Sequence, residues 1–181
     1  MTRSRARITG AVYLLYFLVV IFASFLVSRV PVAYSDAANL IANALYIAVT
    51  LLLYQILKPV SRSVALLAVV ISVSGCVVQS LSLFHLVSPQ SALPLFGLFN
   101  LTIGSLIFRS TFLPRALGVL MALSGLAWLI VLFPELLKFT KMYVEIIGVL
   151  AEGLLMLWLL VIGVNVKRWT EQAEGAAGRR S

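Results

Sequence analysis

Six apolar runs divide the chain, at residues 8–27, 37–57, 63–87, 92–108, 116–133 and 142–166. A helix needs about 20 mainly apolar residues to cross a bilayer, and each run reaches or approaches that length. The polar stretches between them are short and rich in residues that stop helices. Lys58, Pro59 and Arg62 end the second run, because proline breaks a helix and disfavours helix in the residue before it. Arg29, Pro31 and Asp36 mark the first connection, and Ser88 to Ser91 form a turn. Arg109 to Arg115, with Pro114, is the next connection, and Pro134, Glu135, Lys138 and Lys141 are read as a loop before the last run. Lys167, Arg168 and Trp169 then make a basic, aromatic stop at the membrane boundary. Residues 170–181 are expected to be a disordered cytoplasmic tail.

The pattern predicts an all-α fold, a bundle of six transmembrane helices over residues 1–169. Arg3, Arg5 and Arg7 before the first run have the look of a signal-peptide start. That run is too long for the usual apolar core of such a peptide, and 24–31 offers no clear small-x-small cleavage site, so a retained first helix is expected. With six spans both termini share a side. Eleven of the 14 basic residues fall on that side, against Arg29, Lys138 and Lys141 on the other. The positive-inside rule then makes both termini cytoplasmic.

Composition agrees with a lipid environment. The chain is 62% hydrophobic and 11% charged, whereas soluble domains are roughly 25% charged. The net charge of +8 comes from basic residues scattered between apolar runs, not from a stripe that would bind nucleic acid, so no nucleic-acid partner is expected. Cys76 has no partner in the chain and reads as a small hydrophobe. One histidine, no cluster at metal spacing, no nucleophile elbow and no glycine-rich phosphate loop leave neither metal nor cofactor expected.

Glu152 is where function is sought. A carboxylate inside a spanning helix costs a few kcal/mol, so it is either protonated and hydrogen-bonded or faces water or a cation. Counting from Met142 places Glu145 at the outer rim and Glu152 two turns deeper on the same face. Asn39 and Asn43 fall on the outer part of the second helix, Gln79 and His85 on the outer third of the third, and Asn100 near the middle of the fourth. These seven residues are the candidate ligand-binding set. Taken singly, the amides also suit hydrogen bonding between helices, His85 suits an interfacial polar residue, and Glu145 a solvated one. Gly97 and Gly104, with Gly118, Ala122 and Gly125, put small residues on one face of the fourth and fifth helices, which lets helices approach closely. Trp128 and Trp158 read as interfacial anchors or lipid-facing bulk.

A family resemblance runs through these residues. It is carried by Arg7 to Gly10 (Arg-Ile-Thr-Gly), by Leu53 to Lys58 with Arg62, by Gly104 to Ser110 leading into Leu113 to Gly118, and by Glu152 to Leu160 with Gly163. Together they resemble the bacterial membrane proteins grouped as domain of unknown function 4386. The resemblance implies a small multi-helix membrane protein, placed in the bacterial inner membrane, and no particular activity. Many members carry an Arg and a Glu in the third helix about where this chain has Val73 and Cys76. That leaves Glu152 with neutral partners such as Gln79, Asn43 or Tyr46.

Three functions follow as expectations. The leading one is binding or transport of a small amphiphile or lipid through a polar cavity in the outer half of the bundle. A second is an intramembrane enzyme acting on a lipid-borne group, with Glu152 or His85 as general base. A third is a structural or accessory subunit. Membrane lipids are the expected partners, with a homo-oligomer or partner subunit as further alternatives.

Overall fold

The computed structural model describes residues 3–26 and 32–178. Among them there is no strand. Helices α1 (Arg3–Leu26), α2 (Val32–Leu57), α3 (Arg62–Leu83), α4 (Leu93–Arg109), α5 (Arg115–Leu129) and α6 (Pro134–Val161) are followed by a shorter α7 (Val166–Gly178). Six of them, α1 to α6, are long and apolar enough to cross a membrane, α4 and α5 together with the short 3-10 turns that extend them to Pro89–Arg109 and Arg115–Leu132. The chain is a multi-pass membrane protein.

Each helix packs against its chain neighbours, and α6 closes on α1, so the six form a ring in chain order. Local chemistry sets the ends. Ser61 caps α3 by accepting from the Val64 amide at 3.5 Å. Pro134 stands at the start of α6, where its missing N–H costs nothing. Glu135 follows in the first turn, bonded to Lys138 at 2.9 Å. The expected loop over Pro134 to Lys141 is therefore the first two turns of α6. That helix also ends earlier than 166, at Val161. Just beyond it Gly163 takes φ 78°, a backbone conformation open to glycine. Asp36 and Arg62, read as connection, lie in α2 and α3; Arg29 and Pro31 lie outside the described residues.

The expected disordered tail is corrected over most of its length. Residues 166–178 form α7, capped by Asn165 Oδ1 accepting from the Arg168 amide at 3.2 Å. Trp169 Nε1 donates to the Ile56 carbonyl at 2.8 Å, one of the last-turn carbonyls of α2 that lack a helical partner. Gln172 Oε1 accepts from the Thr111 amide at 3.0 Å. The basic stop is thus also a clamp, folding α7 back over the α2 end and the α4–α5 connection. Residues 179–181 lie outside the described residues.

The two halves of the ring pack differently. Toward the termini the largest buried side chains gather, Tyr13, Leu53, Ile56, Leu106, Ile107, Leu155 and Leu159, beside the small Ala6, Thr9, Ala65 and Ala68. Toward the opposite end lie small ones: Ala23, Ser35, Ala38, Ala42, Ala92 and Ala127. At that opposite end the small side chains leave space between the helices, so this half is the hollow one, and the half with the larger buried side chains is the more solid.

The α4–α5 pair is the tightest in the ring. A Cβ added to Gly104 would lie 2.7 Å from the Gly118 carbonyl oxygen, and one added to Gly125 would lie 2.6 Å from that of Gly97. The small faces read from the sequence do meet, as two glycine pairs seven residues apart on each helix.

Candidate functional site

Glu152 projects from α6 into the ring where the solid half meets the hollow one. Three other helices of the ring aim donors at its carboxyl. The Tyr13 hydroxyl from α1 donates to Oε2 at 2.8 Å. Asn100 Nδ2 from α4 donates to Oε1 at 3.1 Å, and the Tyr46 hydroxyl from α2 donates to the same oxygen at 3.5 Å. Asn100 Nδ2 also donates to Ser124 Oγ of α5 at 3.1 Å. One carboxyl thereby ties α6 to α1, α2 and α4, and to α5 through Asn100. Tyr13 and Asn100 are fully buried. The Asn100 Oδ1 is buried with no hydrogen-bond partner among the described residues. Its amide is turned so that both N–H donors serve Glu152 and Ser124, at the expense of its carbonyl.

Above this hub lies a cavity of about 330 Å³. Glu152 forms its floor. Aromatic rings line it on several sides: Tyr16 and Phe17 of α1, Tyr46 of α2, Phe96 of α4 and Trp128 of α5. The Tyr16 and Tyr46 ring centroids are 4.9 Å apart, and Phe96 meets Tyr46 edge-on at 5.4 Å. Gly148 of α6 makes room for the Trp128 indole, since a Cβ there would lie 2.8 Å from Nε1. Trp128 is thus a cavity wall and not a lipid-facing anchor. Asn39, Asn43 and Gln79 supply the polar lining.

The seven sequence candidates separate cleanly. Glu152 and Asn100 bond to each other. Asn43, Asn39 and Gln79 line the cavity without bonding to Glu152. Asn43 Nδ2 donates to Ser80 Oγ on α3 at 3.0 Å, and Asn39 Nδ2 to the Ser35 carbonyl of its own helix at 2.9 Å. Of the three neutral partners expected for Glu152, Tyr46 is the one that bonds to it.

His85 and Glu145 are not in the site. His85 has φ 58° and ends α3: its amide donates to Ser82 O at 3.1 Å, and that of Leu86 to Leu81 O at 3.2 Å. This is the double hydrogen-bond pattern of a helix C-terminus closed by a left-handed residue. Glu145 is exposed, 3.9 Å from Lys141.

Tyr13, Ser124, Phe96 and Trp128 were not among the candidates. A depth count would have found Tyr13. It lies ten residues from Arg3, and Glu152 nine from Val161, so both stand about 14–15 Å from the same face at 1.5 Å per residue. Counting α6 from Met142 set Glu152 too near the other face. From Pro134 it is 18 residues deep, about 27 Å.

A family model described as "Domain of unknown function (DUF4386)" matches residues 34–94 and 90–163. Tyr46, Asn100 and Glu152 fall within those spans, and Tyr13 precedes them. An uncharacterized protein of Archaeoglobus fulgidus is 27% identical over 148 residues, covering 77% of this chain and 90% of that one. No solved structure matches the chain.

Proposed function

We propose that this chain, which belongs to the family described as domain of unknown function 4386, is a ligand-binding membrane protein, taking a small amphiphile or lipid headgroup into its hollow half for binding or transport. The observation that carries this reading is the pairing of a cavity of about 330 Å³ with a carboxyl held at its floor by Tyr13, Tyr46 and Asn100. Ligand sites of small molecules are concave, mostly apolar and furnished with a few placed polar groups, at volumes from about 300 Å³ upward.

Native mass spectrometry of the gently extracted protein tests this, wild type beside Val149→Trp. Val149 is an exposed residue on the cavity wall, so the larger ring obstructs the space without opening the core. A small molecule carried by the wild type and lost from the variant is the expected result. An empty wild type, identical in behaviour to the variant, returns Glu152 to a purely structural role as a tie between helices.

The orientation belongs to the same proposal. Arg3, Arg7, Lys58, Arg62, Arg109, Arg115 and Arg168 are at the solid end, while Lys138 and Lys141 are at the hollow end. By the positive-inside rule the termini are cytoplasmic and the cavity is in the outer half, in a cytoplasmic membrane. Cys76 is buried, which leaves introduced cysteines as the accessible thiols. An impermeant maleimide applied to intact cells is expected to label Lys141→Cys and to spare Arg62→Cys; the reverse pattern inverts the topology.

A further inference from the structure

We propose that the occupant of this cavity is a small organic cation, an ammonium-bearing molecule with its charge against Glu152 and its carbon substituents against the aromatic walls. The inference rests on the ligand-binding reading above and adds the charge and chemical class of the ligand.

Charge is the first argument. Among the described residues that line the cavity, Glu152 is the one acid, and there is no Lys, Arg or His. The Lys138–Glu135 and Lys141–Glu145 ion pairs are exposed and do not involve Glu152. The described groups that bond to the Glu152 carboxyl are neutral donors: two phenols and an amide N–H. The amide contact is informative, because Asn100 leaves its own Oδ1 buried and unpaired among the described residues while its N–H groups face the carboxyl. That arrangement suits an acceptor carrying negative charge. A buried charge is normally paired, and none of these side chains supplies the opposite charge. A cationic ligand does, whereas an anionic headgroup would be repelled.

The walls are the second argument. Tyr16, Tyr46 and Phe96, in mutual ring contact, line the cavity that Glu152 also lines, and so do Trp128 and Phe17. Aromatic faces attract cations through the ring quadrupole, most of all where water is excluded, and they form the recurrent cage for quaternary ammonium groups. A bare metal ion fits the same site poorly. One carboxylate among phenols and amides is too few hard ligands, and no group of three or more metal-binding side chains occurs among the described residues.

Paired probes test the charge. Benzyltrimethylammonium and neopentylbenzene, its uncharged isostere, are titrated calorimetrically into the full chain in neutral detergent, with protein-free micelles as the blank. The ammonium is expected to bind more tightly than the isostere, and Glu152→Gln to weaken it by about ten-fold or more while changing the isostere by less than about two-fold. Glutamine keeps one oxygen to accept from Asn100 and turns its N–H2 toward the Tyr13 hydroxyl, which can accept. Should that variant not fold, Phe96→Leu serves in its place, with a loss of about three-fold or more for the ammonium alone. An isostere that binds as tightly as the ammonium overturns the cation assignment and leaves a ligand cavity standing. So does a folded Glu152→Gln protein with wild-type affinity for the ammonium. Binding of neither probe also overturns it; the ligand-binding reading then falls as well only if the wild type is empty by native mass spectrometry.

Discussion

Gly125→Val is expected to destabilise the bundle by about 3 kcal/mol, at the upper end of what overpacking costs. The reason lies in what its new atoms would meet. A Cβ at Gly125 would be 2.6 Å from the Gly97 carbonyl oxygen and 2.7 Å from the Leu101 amide nitrogen. Both are backbone atoms and have no rotamer through which to move aside. Helices α4 and α5 would have to separate, which also opens the Gly104–Gly118 contact two turns away. In a membrane that loss is not made good by a hydrophobic effect between helices, because association there depends on close packing. A Cβ added to Gly153, on α6, would meet nothing within 4 Å, and Gly153→Ala is expected to stay within about 0.5 kcal/mol of wild type. Detergent-induced unfolding followed by circular dichroism compares the two. Equal midpoints for Gly125→Val and wild type would remove the α4–α5 seam as a stabilising element.

Asn100→Leu is expected to cost about 2 kcal/mol, and Asn43→Leu only about 0.6 kcal/mol. Both replace an amide with a side chain of similar size. Asn43 loses one neutral hydrogen bond, to Ser80, the kind that averages about 0.6 kcal/mol between membrane helices. Asn100 is fully buried and loses two bonds, one of them to a carboxyl oxygen, at about 1 kcal/mol each. Its removal also leaves the carboxyl with only its two tyrosines. The same unfolding measurement resolves the pair. Equal losses for the two variants would mean that Glu152 is no more than one polar contact among several, and the hub at the floor of the cavity would lose its special standing.

Much of this protein can be read along the chain. Six spans, their order, the small faces of α4 and α5, and the choice of Glu152 all follow from one-dimensional quantities: run length, residue size, and the cost of placing a carboxylate in hydrocarbon. Those costs act on a residue wherever its neighbours are. Helix ends are less legible. Pro134, Glu135 and Lys138 look like a loop, yet proline and an acid in a first turn equally start a helix, and α6 gains its first two turns that way. Residues 166–178 look too polar to fold alone. They are ordered by partners distant in sequence, with Trp169 bonded to Ile56 and Gln172 to Thr111.

The partners of Glu152 were decided by the tertiary structure. Depth along each helix can be counted, and a corrected count brings Tyr13 level with Glu152. Azimuth cannot be obtained that way, since every helix in a ring presents one arc inward, and the arc is set by packing against both neighbours. Apolar all round, these helices carry little moment to show which side that is. The chain itself therefore determined that a costly carboxyl lies in the membrane among helices of known number. Ring closure of α6 on α1 determined which hydroxyls and which amide hold it. Small side chains at the end away from the termini then left an open, aromatic-walled space beside it.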